Sequence, residues 1–395
     1  MKRYNSKASR LNTRIRQLLL CTLVLQSSPA ATGDLERRQA KRIHDRIAGV
    51  PPSASVLDDM EADILAGNPA SAALTAMDNN AFYNVTLKNL VTPWTNRDQT
   101  VFAPLNDYTA TVIGMVRDNV PFTEALSADI VYVADPSLGL TPYSATDNLH
   151  YQQLEDGNYS LRDSLVATTQ SAVSGLPPDA TAGVITSRAA AEAFFVAGTN
   201  RAMFRYTLMN HLCNDLEQVK DVTRSPDRIR QDVSRSPGGD SRIFLNSCIG
   251  CHSGMDPMAQ AFAYYNFNEG SGRIEYTSGV VQPKYFINGE TFSPGYVTPD
   301  DHWNNYWRAG QNALLGWDGT LPGSGRGAKS LGVELAGSEA FARCQVTKVF
   351  RTVCLREPGD TDDRDQIDDM TVNFTADNYN MKTAFADAAV YCKGD

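Results

Sequence analysis

The chain has few metal-binding residues and few basic residues, and it lacks a long apolar stretch. Its 395 residues include only five histidines and seven cysteines, with one Cys-x-x-Cys pair and no His-x-x-x-His pair. An apolar run at residues 18–25 is too short to span a bilayer as a stable helix. The 36 basic residues are outnumbered by 45 acidic ones. The lack of a second pair of ligands argues against a zinc-finger type of zinc site. The excess of acidic residues argues against nucleic acid as a partner.

The first 30 residues have the features of a signal peptide. Six basic and no acidic residues precede the apolar run, and small residues follow it around Ala30. This pattern predicts export, of the Gram-negative periplasmic type, with cleavage near Ala30 and a strongly acidic mature protein. An uncleaved leader would add membrane association. A lipoprotein cut before Cys21 is disfavoured by the bulky Leu20 that precedes it.

One short segment carries the strongest chemical signal, Cys-Ile-Gly-Cys-His at residues 248–252. Cys-x-x-Cys-His is the attachment site of c-type haem. Two thiols one short turn apart reach the two vinyl groups of one porphyrin edge, and the adjacent imidazole falls beneath the iron. The spacing predicts one covalent haem c, attached at Cys248 and Cys251, with His252 as the proximal iron ligand.

Two other interpretations of the Cys-x-x-Cys pair are open. A thioredoxin-like redox pair usually follows a strand and begins a helix, whereas Asn246 and Ser247 stand immediately before this one. A structural zinc site needs a fourth ligand and usually a second paired motif. Both are weaker than the haem interpretation.

Four further cysteines remain after the leader and the haem pair are set aside. They are Cys213, Cys344, Cys354 and Cys392. An even number of cysteines in an exported protein predicts two disulfides, in one of three connectivities that the sequence leaves open.

Helical patterns dominate the chain. Residues 35–77 are helical in pattern, with breaks at Pro51-Pro52 and at residues 67–69. Further helices are predicted at 187–196, 201–219, 331–353, 361–374 and 380–391, and residues 223–240 form a polar loop that leads to the haem segment. The predicted fold is mainly α with minor β, divided into an N-terminal helical region at 31–182 and a cytochrome-c-like haem module with C-terminal helices at 183–395.

Three segments resemble the exported bacterial proteins with planctomycete-type cytochrome c domains. Cys-Ile-Gly-Cys-His-Ser-Gly-Met-Asp-Pro at 248–257 is similar to that family's haem segment, and Gly272-Arg273 to its closing pair. Gly-Val-Ile-Thr-Ser at 183–187 resembles its opening, and residues 335–344 resemble its C-terminal helical module. The resemblance implies a c-type haem on a helical module. It does not identify the sixth iron ligand, because residues 258–262 and an insertion at 293–330, where the distal side of the haem would be built, depart from the family pattern.

The distal iron ligand has several candidates. Met255 is eliminated because it lies three residues after His252, on the same side of the ring. His302 and His211 are candidates, and each has an alternative role as a surface or core histidine.

Thioether ligation by Met203, Met209 or Met381 would give the iron a higher reduction potential. Met381, however, belongs to a helical stripe typical of a core. An open site is the remaining possibility.

A Gly-rich segment at 323–330 is one residue short of a phosphate-binding loop, because Ala328 stands where the second glycine is needed. We expect a flexible surface loop there and no nucleotide.

The function predicted first is electron transfer by a periplasmic monohaem cytochrome to a redox partner. The acidic charge of the chain favours a basic partner. The alternatives are a haem-dependent oxidoreductase or peroxidase-like enzyme with an open sixth position, and a haem that only staples a scaffold.

Overall fold

A computed structural model describes residues 30–394, and the predicted signal peptide lies outside them apart from Ala30. The helices are α1 (Ala30–Ala48), α2 (Ala54–Leu65), α3 (Pro69–Met77), α4 (Lys88–Val91), α5 (Asp107–Arg117), α6 (Leu149–Asp156), α7 (Leu161–Ser164), α8 (Gln170–Ser174), α9 (Arg188–Phe194), α10 (Arg201–Leu212), α11 (Ser241–Ile243), α12 (Ile249–Ala259), α13 (Gly327–Ala336), α14 (Glu339–Cys354), α15 (Thr361–Ala376) and α16 (Met381–Tyr391). The strands are β1 (Val131–Ala134), β2 (Leu165–Thr168), β3 (Tyr265–Asn268), β4 (Arg273–Tyr276), β5 (His302–Asn304) and β6 (Ser324–Arg326).

The architecture is mainly helical, as predicted, with 57% helix and 7% strand. The strands form three separate antiparallel pairs, β1–β2, β3–β4 and β5–β6. β3 and β4 are joined by a short turn, whereas long segments of chain separate β1 from β2 and β5 from β6. In the described residues the strands are thus small two-stranded additions to a helical body.

The breaks between the N-terminal helices lie where the sequence predicts, although α1 begins at Ala30 and not at residue 35. The Ser53 hydroxyl accepts a hydrogen bond from the backbone of Val56 and starts α2 just after the Pro51-Pro52 break. Pro69 occupies the first turn of α3, where its missing N–H costs nothing. These helices pack on one another, and α3 also packs against α16. One apolar core cluster includes residues from Ala40 to Ala389, so both predicted regions contribute to it.

Two of the central helix predictions need correction. The helix predicted at 201–219 ends at Leu212, because Cys213 takes a left-handed backbone conformation with φ of 54°. The helix predicted at 331–353 is two helices, α13 and α14. They are separated at Ser338, whose hydroxyl accepts from the backbone of Phe341 and caps α14.

The Gly-rich segment at 323–330 is not a flexible loop. It forms β6 and the first turn of α13. The Lys329 ammonium donates to the Pro178 carbonyl at 2.6 Å, and the Trp303 indole donates to the Ser330 hydroxyl at 2.8 Å. The two side chains that a phosphate loop would use are thus engaged in packing the fold.

Two disulfides join the four remaining cysteines, which confirms the number predicted. The pairs are Cys213–Cys344 and Cys354–Cys392. Disulfides are consistent with an oxidising compartment outside the cytoplasm. Within residues 30–394 no helix is both long enough and apolar enough to cross a membrane.

The two disulfides should contribute unequally to stability. Cys213–Cys344 spans 131 residues and Cys354–Cys392 spans 38, and the longer loop loses more entropy in the unfolded chain when it is closed. We expect Cys213→Ala/Cys344→Ala to lower the free energy of unfolding by about 1 kcal/mol more than Cys354→Ala/Cys392→Ala, within losses of about 2 to 5 kcal/mol. Urea unfolding measures both losses, and a larger loss for the C-terminal pair would contradict this account.

Candidate haem-attachment site

The predicted haem segment lies on a continuous stretch of helix. Helix α11 leads into a π-helical turn, Phe244–Cys248, and then into α12. The helical residues before Cys248 replace the strand that a thioredoxin-like site would have. Cys248 and His252 are four residues apart on this helix and share one face, with Cys251 beside them. The polar residues at 223–240 precede the helix and contain no α-helix or β-strand, as predicted.

The two thiols of this segment are partly exposed and are not joined to each other. The Cys251 thiol lies 3.5 Å from the carbonyl of Leu216. Burial, together with the negative charge of Glu217, raises the pKa of the Cys251 thiol.

His252 is fixed by a buried carboxylate. Its Nδ1 lies 3.1 Å from both carboxylate oxygens of Asp256, one helical turn further on. The side chain of Asp256 is completely buried, whereas that of His252 is 19% exposed. The Nε2 atom of His252 makes no hydrogen bond to any residue in the described range. Metal-ligating histidines commonly donate one ring N–H to a carboxylate and bind the metal with the other nitrogen, so this arrangement suits a proximal iron ligand.

Two arginines and a second carboxylate hold Asp256 in place. Arg201 forms a bidentate pair with Asp256, at 2.7 and 2.9 Å, and a second one with Asp232, at 2.8 and 3.0 Å. The guanidinium of Arg230 is 3.9 Å from the Asp256 carboxylate. Burial acts to raise the pKa of Asp256, but the charges of Arg201, His252 and Arg230 overcome it and hold that pKa well below its usual range. The direct ion pair with Arg201 favours the ionised form of this carboxylate.

Three exposed apolar side chains lie near the segment. Val222, Ile243 and Leu245 are each between 44% and 59% exposed. A Val222 methyl carbon lies 3.3 Å from where a Cβ on Gly250 would stand, which places it against the segment itself. Exposed apolar side chains next to two partly exposed thiols fit the attachment of a flat apolar ring. The residues present thus fit a haem on its proximal side.

The two histidines considered for the distal position lie in different environments. His211 is buried in the core, where its Nε2 bonds the Tyr108 hydroxyl at 2.8 Å and its ring stacks on Phe341. His302 lies in β5, which packs against α12, and its ring is half-buried with no hydrogen bond to the described residues. His302 is the more available of the two, since His211 would have to leave Tyr108.

Two of the three methionines considered for the distal position, Met203 and Met381, belong to the core cluster. Met203 is buried and its sulfur accepts a weak hydrogen bond from Thr207 at 3.8 Å. Met209, on the same helix, is half-buried. Met381 is buried with the rest of its stripe on α16, as the periodicity predicts. Met255, eliminated above, is buried in the core cluster.

The structure does not support the interpretation of this segment as part of a zinc site. In the described part of the chain, no three His, Cys, Asp or Glu side chains converge as a metal-binding group. Cys248, Cys251 and His252 therefore do not form a closed site of the zinc type in this structure.

Sequence reasoning missed the carboxylate and arginine partners of His252. Asp256 stands four residues after His252, which is the spacing of neighbours on one helical face, so this contact could have been predicted. Arg201, Arg230 and Asp232 are distant from His252 in sequence and carry no local signal.

No family model, no curated protein and no solved structure matches this chain.

Proposed function

We propose that this protein is an exported monohaem c-type cytochrome that transfers electrons. Cys248 and Cys251 would form thioether bonds to the haem vinyl groups, and His252 would bind the iron through Nε2. Bound haem supplies an iron that accepts and releases one electron. The observation that carries the proposal is the orientation of His252, whose Nδ1 is held by Asp256 while Nε2 has no partner within the described range.

The state of the cysteines supports this proposal. Four cysteines are paired in disulfides, as expected in an oxidising compartment, yet Cys248 and Cys251, with two residues between them, are unpaired within the described chain. Two vicinal thiols would be open to oxidation in such a compartment unless other bonds consumed them. Thioether bonds to haem would protect both. A redox partner is required, and the acidic chain favours a basic one.

A second candidate function is a haem-dependent oxidoreductase or peroxidase-like enzyme with an open sixth position. The specific observation in its favour is the carboxylate behind His252. A carboxylate partner makes a ligating imidazole more basic and so stabilises more oxidised iron. The absorption spectrum of protein made in a periplasmic c-type maturation host, with and without reductant and carbon monoxide, separates the two functions. Low-spin iron that ignores carbon monoxide favours electron transfer, and high-spin iron that binds it favours an enzyme.

Replacing His252 by Ala should remove the proximal ligand but leave haem attached to the cysteines. We expect the wild-type ligation spectrum to disappear and added imidazole to restore part of it, because imidazole can occupy the vacated space. The matched variant His44→Ala removes a buried histidine of α1 that donates to the Val50 carbonyl, and it should leave the ligation spectrum unchanged. A His252→Ala spectrum identical to that of the wild type would show that His252 does not bind the iron.

A further inference from the structure

Asp256 is the centre of a buried charge network behind His252. Four charged groups meet there: the carboxylates of Asp256 and Asp232 and the guanidiniums of Arg201 and Arg230. The side chains of Arg230 and Asp256 are at most 2% exposed. The two negative and two positive charges balance one another, so the network is close to neutral without requiring a proton on either carboxylate.

Only one of the two carboxylates contacts the histidine. Asp256 accepts from His252 Nδ1 and also from Arg201, whereas Asp232 pairs with Arg201 and, at 3.9 Å, with Arg230. Arg230 also lies over the ring of Tyr285, with 4.8 Å from its guanidinium carbon to the ring centroid. Two of its nitrogens have no hydrogen-bond partner in the described part of the chain. Arg230 therefore acts on Asp256 mainly by charge.

We propose that Asp256 is a positioning residue that orients His252 and lowers the reduction potential of the iron bound there, with Arg201 and Arg230 limiting the size of that effect. This inference rests on the proposed function. A hydrogen bond from Nδ1–H to a carboxylate moves electron density onto the imidazole, and a more basic imidazole stabilises ferric iron over ferrous iron. The arginines withdraw negative charge from the carboxylate and so oppose that shift.

The direct test compares Asp256→Asn with Asp232→Asn in haem-loaded protein. Each substitution removes one carboxylate charge bound to Arg201, but only the first alters the partner of His252. Potentiometric titration measures the gain of one electron by the iron. We expect Asp256→Asn to shift the ferrous-to-ferric ratio at a fixed potential about tenfold toward ferrous iron, equal to about 59 mV for one electron. Asp232→Asn should shift this ratio less than about threefold, since it leaves the Nδ1 hydrogen bond in place.

Two further variants separate positioning from simple structural support. Asp256→Glu keeps the charge and should return the potential part of the way to the wild-type value. Arg201→Gln leaves Asp256 in place, so it should lower the potential, and it provides a test if Asp256→Asn does not fold. A variant that loses only thermal stability, with its potential unchanged, would overturn the inference. Arg201→Gln with a raised potential would do the same, whereas a wild-type protein without haem would overturn the proposed function itself.

Discussion

Replacement of Cys248 and Cys251 by serine is expected to give a folded protein with no covalently bound haem. Both thiols are partly exposed and neither belongs to a disulfide of the described chain. Serine keeps the approximate size of the side chain but cannot form a thioether. The haem stain of the protein band on a denaturing gel should fall below detection, while the circular dichroism of the helices persists.

The matched control is Cys354→Ser/Cys392→Ser, which also removes two cysteines but takes them from a disulfide. This variant should keep its haem stain and lose stability instead. Covalent haem in the Cys248→Ser/Cys251→Ser protein would contradict the assignment, because it would place the attachment at other residues.

Gly254→Ala is expected to be among the most destabilising single changes in this part of the fold. A Cβ at this position of α12 would stand 1.8 Å from Nε1 of Trp307 and 2.3 Å from its Cε2. Trp307 is fully buried and packs on Phe204, with ring centroids 5.8 Å apart. Neither the indole nor the helix can move without disturbing the core, so we expect a loss of about 3 kcal/mol or more.

Thermal and urea unfolding of the apo-protein measure this loss, with Gly33→Ala in α1 as the control. A Cβ on Gly33 meets only a carboxylate oxygen of Glu61, at 3.3 Å, at the end of a flexible side chain. The control should change the free energy of unfolding by less than about 1 kcal/mol, because alanine favours a helix more than glycine does. Equal effects in the two variants would show that the contact between α12 and Trp307 is not a tight one.

Local signals in the sequence predicted much of the helical framework. Pro51-Pro52 and Pro69 mark the breaks between the first helices, and Ser187 starts α9 by accepting from the backbone of Ala190. These features work because capping and proline act over three or four residues and need no tertiary contact. Asp360 and Asn380 start the last two helices in the same way.

Tertiary contacts explain the predictions that failed. Cys213 ends α10 seven residues early, where the chain turns to form the disulfide with Cys344. The glycines at 323–327 suggest a loop, but contacts of Ser330 and Lys329 with Trp303 and Pro178 hold the segment in ordered structure.

The candidate site was predicted only in part, for the same reason. Two cysteines and one histidine within five consecutive residues define the haem segment, so Cys248, Cys251 and His252 could be chosen from their spacing alone. Arg201, more than 50 residues from Asp256 in sequence, reaches it only because α10 packs against α12. The identity of the distal ligand stays a prediction. His302 and His211 both lie on elements that contact α12, so these contacts do not choose between them.

The most direct test of the account is the mass of one peptide. Trypsin cleavage after Arg242 and Arg273 releases a single fragment that contains Cys248, Cys251 and His252. For protein made in a host with periplasmic c-type maturation, we expect this fragment to carry the added mass of one haem, with both cysteines resistant to alkylation. A fragment of unmodified mass whose two thiols both react with the alkylating agent would contradict the assignment of this protein as a c-type cytochrome.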